Sequence, residues 1–137
     1  MNLLLDLLGN PHCGLKVIHI AGTNGKGSTA AMLASILQEQ GYKTGLYTSP
    51  YIMRFNERMR IDGVPIADGT LAELVALVKQ AVGQMPATMA PTEFEVITAT
   101  AFLYFQAQQC DYVVLEAGVG GRLDSTNVVE HPLCCIL

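Results

Sequence analysis

The sequence has few charged residues and no run of basic ones. Charged side chains make up 15% of its 137 residues, the formal net charge is -4, and no two of its eight Lys and Arg residues are adjacent. Because nucleic-acid-binding domains usually carry a basic face, this composition disfavours a nucleic-acid partner while leaving room for a local basic pocket that binds an anion. Half of the residues are hydrophobic, so the chain can bury a large core and lacks the composition of a disordered segment.

Long apolar runs, a basic leader and zinc-type cysteine pairs are also missing. The longest charge-free stretch, 96–110, contains Thr and Gln and is shorter than the ~20 apolar residues that span a bilayer. The start, 1–6, has an acidic residue and no basic one ahead of its apolar part, which disfavours a secretory signal. We therefore expect a cytoplasmic protein without membrane contact. We also expect reduced cysteines, buried as small hydrophobic residues, at Cys13, Cys110, Cys134 and Cys135.

Short apolar runs alternate with segments of helical periodicity. Strands are predicted at 17–21, 43–48, 112–115 and 133–137, and helices at 3–8, at 28–40 and after two Thr-x-x-Glu capping boxes, 70–73 and 92–95. The pair Asp62-Gly63 is typical of a tight hairpin turn and predicts a small surface ribbon. Strands that alternate with helices need right-handed crossovers. We therefore predict an α/β fold, a three-layer P-loop NTPase-like domain with a mostly parallel sheet flanked by helices, incomplete in this chain.

The segment AGTNGKGST, residues 21–29, joins the first predicted strand to a helix. In this order the free amides of the first helical turn point at the loop, and the helix dipole favours an anion there. Glycines let the backbone curl around a phosphate, Lys26 supplies positive charge, and the hydroxyl of Ser28 is a ligand for Mg²⁺. The candidate nucleotide-binding residues are Thr23, Asn24, Gly25, Lys26, Gly27, Ser28 and Thr29.

One feature of this loop departs from the strict phosphate-loop pattern. That pattern has Ser or Thr directly after the lysine, whereas Gly27 stands between Lys26 and Ser28. The chemistry requires a lysine and a hydroxyl on the first helical turn, and both are still present. The alternative is a glycine-rich turn that binds nothing.

Two more polar segments follow predicted strands. The second strand ends in Thr48-Ser49-Pro50, and the third ends in Glu116 followed by a glycine-rich stretch. Ligands of open parallel sheets bind outside the carboxyl ends of the strands, so these turns are expected to meet the phosphate loop. A buried carboxylate is costly unless it is paired or bound to a metal, and Mg²⁺ beside phosphates would keep Glu116 ionised. The alternatives are an acid that exits to solvent and, for Ser49, an ordinary turn hydroxyl.

The segments 54–58 and 120–127 are polar and show no periodicity of their own. Both are richer in charged residues, glycine or hydroxyls than a connection needs, which suggests loops that line a site. A solvated loop is the alternative for 54–58.

Four motifs together resemble the folylpolyglutamate synthase and dihydrofolate synthase family of the Mur ligase superfamily. They are AGTNGKGST at 21–29, YTSPYIMRFNERMRIDG at 47–63, TEFEVITATAF at 92–102 and EAGVGGRLDSTNVV at 116–129. The resemblance implies an ATP- and Mg²⁺-dependent ligase that joins L-glutamate to folate, and in bifunctional members also to dihydropteroate, through an acyl phosphate.

The resemblance also assigns roles to residues. It implies that Lys26 and Glu116 are catalytic, that the loop 23–29 holds ATP, and that Ser28, Ser49 and Glu116 bind the metal. It places a substrate near the helix that carries Phe94. The implied substrate-binding residues are Phe55, Arg58, Phe94, Arg122 and Asp124.

The chain departs from the family pattern in two respects. Many members have His after the Ser-Pro pair, where this sequence has Tyr51. The chain also ends before several elements of the family, so we expect 1–137 to be part of the amino-terminal ATP-binding domain, the Mur ligase-like central domain, without the carboxy-terminal glutamate-binding domain. Such a fragment is expected to be inactive alone and prone to self-association, whereas the full-length enzyme is expected to be a monomer.

Three other functions share part of this pattern. A nucleotide-binding module without ligase chemistry would share the phosphate loop, but the sequence has no Asn-Lys-x-Asp motif for guanine. Another Mur-type amino-acid ligase would share the fold and use a different acceptor. A small-molecule kinase would not account for the Thr-Ser-Pro turn or the segment after Glu116.

Overall fold

The computed structural model describes residues 1–120 and 124–137. Its helices are α1 (Asn2–Leu7), α2 (Lys26–Glu39), α3 (Asp68–Val82) and α4 (Glu93–Ala107), and its strands are β1 (Val17–Ile20), β2 (Thr44–Tyr47), β3 (Met59–Ile61), β4 (Val64–Pro65), β5 (Tyr112–Glu116) and β6 (Cys134–Ile136). Short 3-10 turns cover Phe55–Arg58 and Ala87–Met89. Within the described ranges, no helix combines the length and apolar character needed to cross a bilayer.

The described strands form one sheet in the order β4-β3-β2-β5-β1-β6. Strands β2, β5, β1 and β6 are parallel, and among the described strands β3 alone runs the other way, pairing antiparallel with β2 and β4. Ile20 is paired with Glu116, and Tyr47 with Leu115, so β1, β2 and β5 end at the same edge. The predicted three-layer fold with a mostly parallel sheet is confirmed.

The hairpin at Asp62-Gly63 is confirmed, but its predicted place is wrong. Both turn residues have positive φ, 49° and 79°, as the tightest hairpin turn requires. Instead of standing apart as a surface ribbon, β3 pairs with β2 and extends the main sheet. Met59 and Ile61 are buried there, because their side chains join the core under α3 and α4.

Helices cover both faces of the sheet. On one face, α2 packs Ala30 and Ala34 against Leu46 and Val114 of the strands. On the other face, α1, α3 and α4 form the larger core, in which Phe105 lies directly on β2. A Cβ atom built on Gly45 would lie 2.7 Å from the ring of Phe105, so the absence of a side chain there allows α4 to approach the sheet. Strands buried on both faces explain their nearly continuous apolar sequences.

The helix ends follow the local sequence in two cases out of three. Thr92 caps α4 as predicted, since its hydroxyl accepts from the Glu95 amide and the Glu95 carboxylate accepts from the Thr92 amide. Gly41 ends α2 with φ of 85°, and its amide donates to Gln38. The capping box predicted at Thr70 is wrong, because α3 already begins at Asp68, and Thr70 lies within its first turn.

The prediction that the cysteines are buried is also wrong. Three of them, Cys13, Cys134 and Cys135, are exposed, and Cys110 is half-buried. Cys134 and Cys135 belong to β6, which lies at the edge of the described sheet, so only one neighbouring strand is paired with it there. The four thiols are free.

Candidate functional site

The loop between β1 and α2 has the backbone of an anion-binding turn. Gly22 and Gly25 have φ of 138° and 78°, values that disfavour residues with a side chain. Gly25 is the N-cap of α2 and has no side chain to satisfy the free amides of the first turn. These amides and the helix dipole are therefore available to an anion in the loop.

Lys26 is the first residue of α2 and folds back over this loop. Its Nζ donates to the carbonyl oxygens of Gly22 at 3.0 Å and Thr23 at 3.4 Å. The contacts hold the ammonium group beside the free amides, so its charge adds to theirs. Ser28, two residues further along the turn, is exposed, and Thr29 is half-buried.

Glu116 is the last residue of β5 and is only 4% exposed. Its Oε2 accepts a hydrogen bond of 3.0 Å from the amide of Ser49, in the turn that follows β2. Burial raises the pKa of the Glu116 carboxyl, and this effect is partly offset by the Ser49 amide and by the charge of Lys26. A buried carboxylate with one hydrogen bond of this kind is suited to a cation in contact with it.

Gly27, the residue that breaks the strict pattern, lies against this carboxylate. A Cβ atom built on Gly27 would be 3.6 Å from Oε2 of Glu116 and 3.8 Å from Oε1. Both are ordinary van der Waals distances, so the first turn of α2 lies in contact range of the carboxylate at this position. The packing does not by itself require a glycine at position 27.

The three turns meet at one edge of the sheet, as the sequence predicts. They are 22–28, 48–50 and 116–120; the further residues 121–122 of the third turn lie outside the described residues. A cleft of about 520 Å³ opens between the phosphate loop and the chain after Glu116, lined by Gly22 and Lys26 on one side and Gly118 to Gly120 on the other.

The protein side chains do not form a complete metal site. In the ranges 1–120 and 124–137, no group of three or more His, Cys, Asp or Glu side chains is arranged to hold an ion. A single buried carboxylate with nearby hydroxyls suits Mg²⁺, which keeps several oxygen ligands from water and from phosphates. The donor set of Ser28, Ser49 and Glu116 therefore fits Mg²⁺ bound together with a nucleotide.

The loop after Ser49 is folded around Glu57. The Glu57 carboxylate accepts from the amides of Ile52, Met53 and Arg54 at 3.1–3.3 Å. These hydrogen bonds lower the pKa of Glu57, the Ile52 amide having the largest effect. A carboxylate held by three amides fixes the path of this exposed loop.

Two of the predicted substrate-binding residues lie in this loop. The guanidinium of Arg58 is over the rings of Tyr51, at 5.4 Å, and Phe55, at 5.6 Å. Its Nε atom is buried and has no hydrogen-bond partner in the described part of the chain. Arg58 also lies near Tyr47, whose pKa is raised to about 12, mainly by burial.

The other predicted substrate-binding residues are divided between the core and the third turn. Phe94 packs so closely on Gly118 that a Cβ atom there would lie 2.6 Å from its ring. Asp124 accepts from the amides of Val119 and Thr126, so both of its oxygens bind its own loop. Arg122 lies outside the described residues.

Sequence reasoning missed two residues beside this turn, His19 and Thr126. His19 is 6% exposed on β1, and its Nε2 is 2.8 Å from the hydroxyl of Thr126. The sequence signals only that His19 needs a hydrogen-bond partner, because it lies inside the run Val-Ile-His-Ile of a buried strand; it does not signal that Thr126 is that partner.

A parallel α/β sheet with a glycine-rich loop, a lysine and a buried carboxylate at one edge defines a P-loop NTPase-like domain. No protein-family model matches the chain. Similarity to single proteins is high: a dihydrofolate synthase/folylpolyglutamate synthase of Bacillus subtilis is 49% identical over 140 residues, covering 100% of this chain and 32% of that protein.

Solved structures agree with the sequence similarity. The folylpolyglutamate synthase of Thermotoga maritima superposes with a TM-score of 0.95 at 45% identity, over 99% of this chain and 33% of that one. An FPGS–AMPPCP–folate complex matches with a TM-score of 0.91 at 49% identity, over 96% of this chain and 33% of that one. The chain belongs to the folylpolyglutamate synthase and dihydrofolate synthase family. It spans about a third of the length of the relatives it matches.

Proposed function

We propose that this chain is the nucleotide-binding part of an ATP-dependent ligase that adds L-glutamate to folate, with dihydropteroate as a second candidate acceptor. The observation that carries the proposal is the meeting of Lys26, Ser49 and Glu116 at the phosphate loop. Two relatives support the substrate class: one is named for dihydrofolate and folylpolyglutamate synthesis, and the other is a complex with AMPPCP and folate.

The proposed chemistry activates a carboxylate, which is otherwise a poor acyl donor. A carboxylate oxygen of the acceptor attacks the γ-phosphorus of ATP, and the bond to the ADP oxygen breaks. The amine of glutamate then attacks the carbonyl carbon of the acyl phosphate, phosphate leaves, and the amine loses a proton. Charge grows on the phosphoryl oxygens during the first step, and Lys26 with the loop amides stabilises it.

Binding of the nucleotide is assigned to residues 23–29, and metal binding to Ser28, Ser49 and Glu116. Mg²⁺, when bound, would neutralise phosphate charge. Glu116, which is almost fully buried, would supply it with a carboxylate ligand that is shielded from water. Lys26 and Glu116 are therefore the residues whose loss we expect to affect turnover most.

Acceptor binding is proposed for the second and third turns. The rings of Tyr51 and Phe55, tilted by 60° to each other, and the guanidinium of Arg58 form an aromatic, positively charged surface, which suits an aromatic ligand that carries carboxylates. Phe94 is proposed as a wall of the same region. Arg122 and Asp124 complete the proposed set, and the bonds of Asp124 to its own loop favour an indirect contribution.

The chain covers only part of the length of its relatives, and this limits the activity that we propose for the chain alone. Since the chain matches 32% of the Bacillus subtilis protein, we propose that glutamate binding resides in a carboxy-terminal domain and that residues 1–137 alone do not turn over. We further propose a monomeric full-length enzyme, self-association of the isolated chain, and no nucleic-acid or membrane partner. The four free thiols support a reducing, cytoplasmic location.

Replacement of Lys26 in the full-length protein tests the proposal. Lys26→Ala is expected to lower ATP-dependent glutamate ligation by at least about 100-fold, because it removes the charge next to the transferred phosphoryl group. Lys79→Ala is the control, since Lys79 is an exposed lysine near the end of α3. The measurement is folate- and glutamate-dependent release of ADP, with the product identified by mass spectrometry.

Three outcomes would contradict the proposal. A Lys26→Ala rate close to that of the control would exclude the loop assignment. Nucleotide binding by the full-length protein without any glutamate ligation would favour the non-catalytic module. ADP release with folate but without glutamate, and with a stable phosphorylated product, would favour a kinase.

A further inference from the structure

We propose that His19 is a positioning residue that holds the Gly118–Gly120 wall of the nucleotide cleft through Thr126 and Asp124. The inference concerns a residue of the sheet interior that does not line the cleft. It rests on the proposed function only for its kinetic consequence, since the hydrogen bonds themselves lie within the chain.

The first link lies inside the protein. His19 is on the same face of β1 as Val17, and its register partner on β5 is Leu115, one residue before Glu116. His19 is only 6% exposed, so its ring nitrogens must find their hydrogen-bond partners within the protein. Its Nε2 is 2.8 Å from Oγ1 of Thr126, a residue that is fully buried. Burial lowers the pKa of His19, so the neutral ring is the favoured form.

The direction of the hydrogen bonds follows from the number of protons. A threonine hydroxyl has one proton, and that of Thr126 is donated to Oδ1 of Asp124. The His19 Nε2 must therefore carry the proton of the first bond and donate it to Thr126. The hydrogen bonds thus run in one direction, from Nε2 of His19 to the Thr126 hydroxyl and from that hydroxyl to the Asp124 carboxylate. The direction of each bond fixes the direction of the next.

The second link reaches the cleft. The other oxygen of Asp124, Oδ2, accepts a 2.9 Å hydrogen bond from the amide of Val119. Gly118 lies between the same oxygen and the ring of Phe94. A Cβ atom built on Gly118 would be 3.2 Å from Oδ2 of Asp124 and 2.6 Å from the Phe94 ring. Gly118, Val119 and Gly120 form the wall of the cleft opposite Lys26. The carboxylate therefore sets the distance between this wall and the phosphate loop.

Loss of the His19 bond should release this wall while the phosphate loop itself stays intact. The expected consequence is weaker nucleotide binding, with little change in the chemical step, because Lys26 and Glu116 do not depend on Asp124. A hydrogen bond to a group in such a network contributes about a 10-fold effect when its donor is removed.

Two matched pairs of variants in the full-length protein test the inference. His19→Gln keeps an N–H donor and His19→Phe removes it while keeping a ring; Thr126→Ser keeps the hydroxyl and Thr126→Val removes it while keeping the shape. Hydrogen exchange of the peptide that contains Val119, measured without ligand, reports the wall directly. The KM for ATP and kcat of ligation report the consequence.

We expect His19→Phe and Thr126→Val to exchange about 10-fold faster at this peptide and to raise the KM for ATP by about the same factor, with kcat within about 2-fold. His19→Gln and Thr126→Ser should stay close to the wild type. If His19→Phe does not fold, Thr126→Val alone decides the question.

The inference is overturned if the donor-free variants exchange like the wild type, or if the donor-keeping variants are impaired as much as their partners. It is also overturned if stability falls while exchange near Val119 and the KM for ATP stay unchanged, which would indicate a merely structural histidine. Absence of ligation in the wild type would instead contradict the proposed function, and the exchange experiment would still test the chain of hydrogen bonds.

Discussion

Glu116 ends a strand whose other residues, Tyr-Val-Val-Leu, are typical of a buried parallel sheet. Its carboxyl group is almost inaccessible, its pKa is raised by that burial, and its recorded hydrogen bond comes from the Ser49 amide. A charge in such a position lowers the stability of the folded state. The function proposed for the site explains its presence, because a nucleotide-bound cation would stabilise it.

Replacing Glu116 with Gln should therefore separate stability from activity. Glu116→Gln keeps an oxygen that accepts from Ser49 and removes the buried charge, so we expect the melting temperature to stay unchanged or rise. Ligation should fall by at least about 100-fold, because the metal loses its carboxylate. Thermal unfolding and ligase assays measure the two effects, with the exposed Glu39→Gln as control.

The opposite pattern would contradict this account of Glu116. A clear loss of stability in Glu116→Gln with activity near that of Glu39→Gln would mean that the carboxylate serves the fold rather than the metal.

At the residue scale, the sequence was informative where one residue type is needed for one chemistry. Lys26 and Glu116 could be predicted because a lysine after glycines and an acid after an apolar strand are unusual. The contact between His19 and Thr126 joins positions 107 residues apart, and no local pattern indicates it. Cys134 and Cys135 were misplaced because their burial depends on whether β6 lies at an edge or in the middle of the sheet.

At the element scale, the two capping boxes show where local sequence decides and where tertiary contacts do. Thr92 follows Pro91, which disfavours helix before it, and its box forms. Before Thr70, Asp68 is held by a 2.8 Å bond from the side chain of Asn56, and α3 starts there. Both segments have the same Thr-x-x-Glu pattern. We attribute the earlier start of α3 to the contact of Asp68 with Asn56, which lies in the loop after β2.

The comparison of Thr92 with Thr70 also gives a quantitative prediction. Thr92→Ala should lower the free energy of unfolding by about 1 kcal/mol, because α4 loses its N-cap. Thr70→Ala should change it by less than about 0.5 kcal/mol, since its side chain caps nothing. Urea denaturation of the two variants measures both values, and equal losses would show that Thr70 is a cap after all.

The strand pattern was predictable, whereas the order of the strands was not. Each of β1, β2, β5 and β6 was recognised from its apolar run and its flanking turn residues. The hairpin β3–β4 was recognised from Asp62-Gly63, but its attachment to β2 depends on the burial of Met59 and Ile61, which only the packed core decides.

For the whole molecule, one buried and one half-buried histidine, His19 and His12, predict how stability depends on pH. Burial lowers the pKa values of His12 and His19 below the ordinary 6.5. Below that pH the unfolded chain takes up protons that the folded chain does not, so the unfolded state becomes favoured. The stabilisation is complete above 6.5 and is lost as the pH falls through the lowered pKa values.

Urea denaturation at pH 7.5 and 5.5 tests this prediction. The free energy of unfolding should be smaller at pH 5.5, and His19→Gln should reduce the difference, because one of the two groups no longer titrates. A free energy that is constant, or that rises toward pH 5.5, would show that these two imidazoles are not the groups that control stability in this range.

The central claim is that three turns, 22–28, 48–50 and 116–120, bind a metal-nucleotide complex together. A crystal structure of the full-length protein with Mg²⁺ and AMPPCP tests it most directly. We expect the terminal phosphate at Nζ of Lys26 and the metal about 2.1 Å from oxygen ligands on Ser28, Ser49 and Glu116. A nucleotide bound elsewhere, or a metal with no contact to Glu116 and Ser49, would contradict it.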